Sequence, residues 1–230
     1  MRTHSARLAI AAMMVLGAQT VQAQTAPSDP CARASAGACT AGTLSEPIEL
    51  MRPVPVRTSA FIAQIGDNNS ATISQNGSQQ FARIGQDGDN GTARVTQEGA
   101  GTAHLEIDQA GLLNSFISKQ NASDGGGNIA VAAQQGEDNA ILLDQSATAG
   151  SVNTAMLAQQ GSGNQMQLGQ NGSDNRAELV QLGDNNAMTA TQNGTANQLR
   201  WVQNGNGLSD LQIVQSGNQT MSITQSNGGT

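Results

Sequence analysis

The chain of 230 residues carries a formal net charge of -7 and is 37% hydrophobic but only 2% aromatic. That is poor material for a conventional globular core and argues against a compact enzyme domain. Its few basic residues are scattered without aromatic interleaving, so the footprint needed to grip nucleic acid or another polyanion is missing. Disorder is the usual outcome of a Gly, Asn, Gln and Ser-rich composition, yet a disordered chain has no reason to keep a phase, and this one does.

Arg2 and Arg7 precede an apolar run from Leu8 to Ala18, and Val21-Gln22-Ala23 ends in a small-x-small pattern. This predicts a signal peptide over residues 1–23, cleaved after Ala23, and an exported chain. The apolar run is too short to span a membrane, and no transmembrane segment is expected in the mature chain. Cleavage leaves eight basic against 17 acidic residues, a formal charge of -9.

Residues 24–59 read as a flexible leader, because all five prolines (Pro27, Pro30, Pro47, Pro53, Pro55) lie there. Both cysteines are there too. Cys31 and Cys39 could close a local disulfide in an oxidising compartment. A metal or redox site would need closer CxxC spacing and further ligands, while the mature chain has only His104. No catalytic, metal or cofactor-binding residue is assigned.

From residue 60 to 230 proline is absent and one unit recurs. A glutamine ends each short apolar alternation: Gln64, Gln75, Gln86, Gln97, Gln109, Gln120, Gln134, Gln145, Gln159, Gln170, Gln181, Gln192, Gln203, Gln215 and Gln225. Most intervals are 11 residues, with 12 before Gln109 and Gln215, 14 before Gln134 and Gln159, and 10 before Gln225. Four residues before each anchor the side chain is always apolar; two before it only Ser118 is polar. Period-two alternation is the signature of a strand with one buried face, and it puts the two apolar side chains and the Gln on that face.

Each strand is followed by a turn signal. Gly66, Gly77, Gly88, Gly99, Gly111, Gly136, Gly161, Gly172, Gly183, Gly194, Gly205 and Gly217 stand two residues after an anchor, often with Asn three further on, as at Asn69, Asn114 and Asn139. Glycine permits positive φ and Asn closes turns through its side chain, so each unit is one strand and one tight turn.

Such a unit cannot fold alone. Ordering each residue costs about 1 to 2 kcal/mol of backbone entropy, while one buried Ile or Leu returns only about 1.5 to 3 kcal/mol. Stacking must supply the rest, which predicts an all-β fold: a β-solenoid of strand-turn-strand rungs, about 22 residues each, in which inward Gln and Asn amides bond along ladders. The extra residues before Gln109, Gln134 and Gln159 fall on one side, and 121–128 and 146–153 are expected to protrude there together. No helix, proline or charge cluster follows Gln225 to cap the last strand, so head-to-tail association into cross-β fibres is expected.

The pattern Q-x-G-x-x-N-x-A-x-x-x-Q is matched in full by Gln64, Gly66, Asn69, Ala71 and Gln75 and by Gln170, Gly172, Asn175, Ala177 and Gln181. It resembles the curlin repeat of bacterial curli fibres. The resemblance covers residues 60–230 and implies passage through a curli-type outer-membrane secretion pore with its accessory factors. It further implies self-polymerisation into extracellular amyloid with a second curlin subunit, serving adhesion and biofilm. It leaves open the major subunit or the nucleator, with the lack of Tyr leaning toward the latter. The alternative is a monomeric secreted β-solenoid adhesin, although that would want a regular exposed face and the outward positions are irregular. A calcium-binding β-roll needs a nine-residue period that is absent, and a polysaccharide-cleaving β-helix needs clustered carboxylates.

Overall fold

The computed structural model describes residues 57–227. The predicted signal peptide, nearly all of the leader, and Cys31 and Cys39 lie outside the described residues. Alternating apolar residues and left-handed turn residues cut the described chain into short strands. In chain order these are β1 (Ser59–Ile65), β2 (Ser70–Asn76), β3 (Gln79–Asp87), β4 (Thr92–Glu98), β5 (Thr102–Leu112), β6 (Ser115–Ala122), β7 (Gly127–Glu137) and β8 (Ala140–Ala147). They continue as β9 (Val152–Ser162), β10 (Gln165–Ser173), β11 (Arg176–Leu182), β12 (Ala187–Thr195), β13 (Gln198–Asn204), β14 (Ile213–Ser216) and β15 (Thr220–Ser226).

Odd-numbered strands form one eight-stranded parallel sheet, and even-numbered strands form a seven-stranded one. Successive strands therefore alternate between two facing sheets, and the fold is a β-solenoid. Register follows the anchors: Gln86 lies beside Gln64 and Gln109, Gln145 beside Gln120 and Gln170. A slip of one residue would turn every apolar side chain outward, so the alternation fixes the pairing.

The core is a thin slab between the sheets. Small residues four before the anchor (Ala82, Ala93, Ala130, Ala155) alternate with larger ones two before it (Ile84, Val95, Leu143, Leu157, Leu179), all fully or nearly fully buried. Trp201 and Phe116 are the bulkiest side chains in it. Burial fades at both ends of the described stack, where Ile62 is 46% exposed and Ile73, Ile213 and Ile223 are only partly covered.

The insertions differ from the expectation. Segments 121–128 and 146–153 do fall at one corner and stack, with the Ser123 amide on the Ala147 carbonyl at 3.0 Å and Gly127 on Ser151 at 2.8 Å. They do not protrude as whole loops. Ala122, Ala147, Asn128 and Asn153 are buried, and exposure is confined to Asn121, 123–125 and 148–150. Inserted backbone that can pair with the next rung satisfies its own polar groups, so it widens the cross-section instead of looping out.

Candidate functional site: the amide ladders

The glutamine anchors meet in two rows, one per sheet. In the eight-stranded sheet the Nε2 of Gln64 donates to Gln86 Oε1 at 2.7 Å, and the row continues through Gln109, Gln134, Gln159, Gln181 and Gln203 to Gln225 at 2.7 to 2.9 Å. In the other sheet Gln75, Gln97, Gln120, Gln145, Gln170, Gln192 and Gln215 are joined the same way at 2.7 to 2.8 Å. These amides are almost all fully buried, where an unpaired one would cost about 1 to 3 kcal/mol.

The second amide proton crosses the slab. Gln97 donates to the Phe81 carbonyl at 2.9 Å, Gln170 to Thr154 at 2.9 Å and Gln203 to Ala187 at 2.8 Å. A leucine could fill the same space but could not tie the two sheets together. Near the C-terminal end of the stack, the Trp201 indole Nε1 also donates to Gln225 Oε1, at 2.9 Å.

Asparagines line both corners. On one side Asn139 donates to Asn114 at 3.1 Å and Asn164 to Asn139 at 3.0 Å, while each Nδ2 also reaches the turn carbonyl of the next rung, as Asn164 does to Gly183 at 2.7 Å. On the other side Asn175 donates to Asn153 at 3.2 Å and Asn197 to Asn175 at 2.9 Å. Asn128 and Asn153 occupy this row although no Q-x-G unit precedes them. Counting back six from Gln134 and Gln159 would have found them, whereas counting forward across the insertions does not.

The twelve turn glycines divide. Eleven have positive φ, from 75° at Gly217 to 142° at Gly205. Gly77 is not among them; its constraint is space, because a Cβ there would collide with the Gln80 amide and the Gly99 carbonyl. Most of these turns also hold a second left-handed residue two positions later, which the motif did not reveal: Asn68, Asn90 and Asn185 fill it, but so do Leu113 and Ala196 at φ 55° and 57°.

One place in the ladders is defective. Gln80 and Ala103 lie in register with Asn128, in the positions of the asparagine row. Gln80 is fully buried with neither amide atom bonded, and the stacked Phe81 and His104 rings, with centroids 4.7 Å apart, lie on the adjacent register positions.

The ladders have direction. Every anchor Gln from Gln64 to Gln203 donates to the anchor of the following rung, so Gln64 and Gln75 present their Oε1 atoms to no donor among the described residues. Gln225 spends one proton on the Ser209 carbonyl at 3.1 Å, and Gln215 spends its outermost on the Gln219 carbonyl at 3.1 Å.

Among the described residues no group of three or more His, Cys, Asp or Glu gathers as a metal site, and no helix is long and apolar enough to cross a membrane. The Arg83–Asp108 pair at 2.9 Å is exposed and structurally minor. The chemistry of the interior is amide hydrogen bonding repeated at strand spacing.

No curated protein and no solved structure matches this chain. The family model for the curlin associated repeat matches residues 66–99 and 150–183. Each matched segment runs from one turn glycine position through β2 to β4 or through β9 to β11, the same strands that carry the ladders described above. The solenoid therefore carries curlin associated repeats at both of these segments.

Proposed function

We propose that this protein is an exported structural subunit that assembles into, or nucleates, extracellular curli-like amyloid fibres supporting adhesion and a biofilm matrix. The observation that carries the reading is the in-register identity of the rungs. Each strand pairs with a neighbour bearing Gln and apolar residues at the same positions, so the outermost rungs offer another copy the same pattern that holds the interior together. Such an open edge templates further strands.

Its partners on this reading are further copies of itself, a second curlin subunit, and a curli-type secretion pore with accessory factors. The signal peptide at 1–23 and the leader at 24–59 belong to the export route. Gln64 through Gln225 serve as the assembly ladder, and the chain performs no catalysis.

The test is seeded polymerisation. Residues 24–230 diluted from denaturant into neutral buffer should give a lag followed by amyloid-dye binding, and fragments of the product should abolish the lag for fresh protein. Seeding of a different curlin would assign the nucleator role. A folded monomer that neither binds dye nor seeds would instead favour the monomeric adhesin.

A further inference from the structure

We propose that successive copies in the fibre stack with a half-turn between them, so that β1 of the next copy pairs with β14 and its β2 pairs with β15. The proposal rests on the reading of the chain as a self-stacking subunit.

Each unit is followed by the next in the opposite sheet, so the operation that relates neighbouring units is a half-turn combined with half a strand spacing. The described strands are odd in number, eight in one sheet and seven in the other, and β1 and β15 lie in the same sheet. The strand position that follows β15 is therefore in the seven-stranded sheet, against β14.

A copy added without rotation would place its β1 on β15. Its β2 would then stand about 9.5 Å from β14, two strand spacings, with a row of unpaired backbone groups on either side of the gap. Partly covered Ile73 and Ile213 would face that gap.

The rotated copy leaves no gap. Aligning anchors as the interior does sets Gln64 on Gln215 and Ile62 on Ile213, and Gln75 on Gln225 and Ile73 on Ile223. The 46% exposure of Ile62 is then covered by an apolar partner. The donor direction matches too: the remaining Gln225 amide proton meets Gln75 Oε1, and the Gln215 proton held by the Gln219 carbonyl passes to Gln64 Oε1. Across each pair of copies both sheets then hold equal numbers of strands, and the outer faces alternate along the fibre.

Single-cysteine proteins in a Cys31→Ser/Cys39→Ser background test this by oxidation of mixed, co-assembled fibres. Ala63, Ser74, Val214 and Thr224 all point outward and are exposed. Paired strands bring their Cα atoms within disulfide reach. The half-turn predicts a heterodimer band between Ser74→Cys and Thr224→Cys and between Ala63→Cys and Val214→Cys, and none between Ala63→Cys and Thr224→Cys. A band for Ala63→Cys with Thr224→Cys overturns the half-turn in favour of direct stacking. Fibres that seed but give no band at any pair overturn it as well. Should the cysteine-free parent form no fibres, the self-stacking reading itself fails, and the half-turn with it.

Discussion

Gln145 shows what a single inward amide does. It accepts from Gln120 at 2.8 Å, donates to Gln170 at 2.7 Å and donates across the slab to the Ile129 carbonyl at 3.3 Å. Gln145→Leu keeps the volume but strands buried polar groups on three neighbours, and should destabilise the folded chain by about 2 to 4 kcal/mol. The matched substitution Gln64→Leu lies at the exposed end and should cost less than about 1 kcal/mol, so paired denaturant titrations read the difference directly. Gln80 should behave in the opposite sense. Its amide is buried and unbonded, and Gln80→Met should raise stability by about 1 to 2 kcal/mol in the same titration. A decrease on that substitution would show that the amide has a partner.

At the scale of strand and turn, conformation and close approach set the limits. Gly136 has φ 118°, and a Cβ on it would overlap the Gly161 carbonyl of the next rung. Gly136→Ala should therefore cost about 3 kcal/mol or more, well beyond the usual price of removing glycine freedom. Leu113 is the converse case, an exposed residue held at φ 55°. Leu113→Gly should gain about 1 kcal/mol by relieving the left-handed strain, measured as a rise in the unfolding midpoint. These elements also show what a sequence can reveal. Strand positions and the anchor rows were legible because apolar alternation and Gln spacing are carried by side-chain identity. The second left-handed turn position was not, because Leu113 and Ala196 occupy it beside Asn, Asp and Gly, so no residue type marks it. Asn128 and Asn153 were hidden by the insertions that precede them, and the burial of those insertions depends on backbone pairing between rungs that no local pattern announces.

For the molecule as a whole, the stack couples short-range hydrogen bonding to long-range repulsion. With a formal charge of -9 after the predicted cleavage, approaching copies repel each other before their edges meet. Raising ionic strength from about 0.01 to 0.15 M shortens the Debye length from about 30 Å to about 8 Å, so fibre elongation should accelerate severalfold over that range. Elongation that slows with salt would place an ionic contact, not amide and apolar stacking, at the junction. The central claim is that the rungs continue from copy to copy as one parallel β-stack. X-ray diffraction from aligned fibres of residues 24–230 tests it most directly: the account predicts a meridional reflection at about 4.7 to 4.8 Å, along the fibre axis. Fibres lacking that reflection, or a chain that stays monomeric at all concentrations, would contradict it.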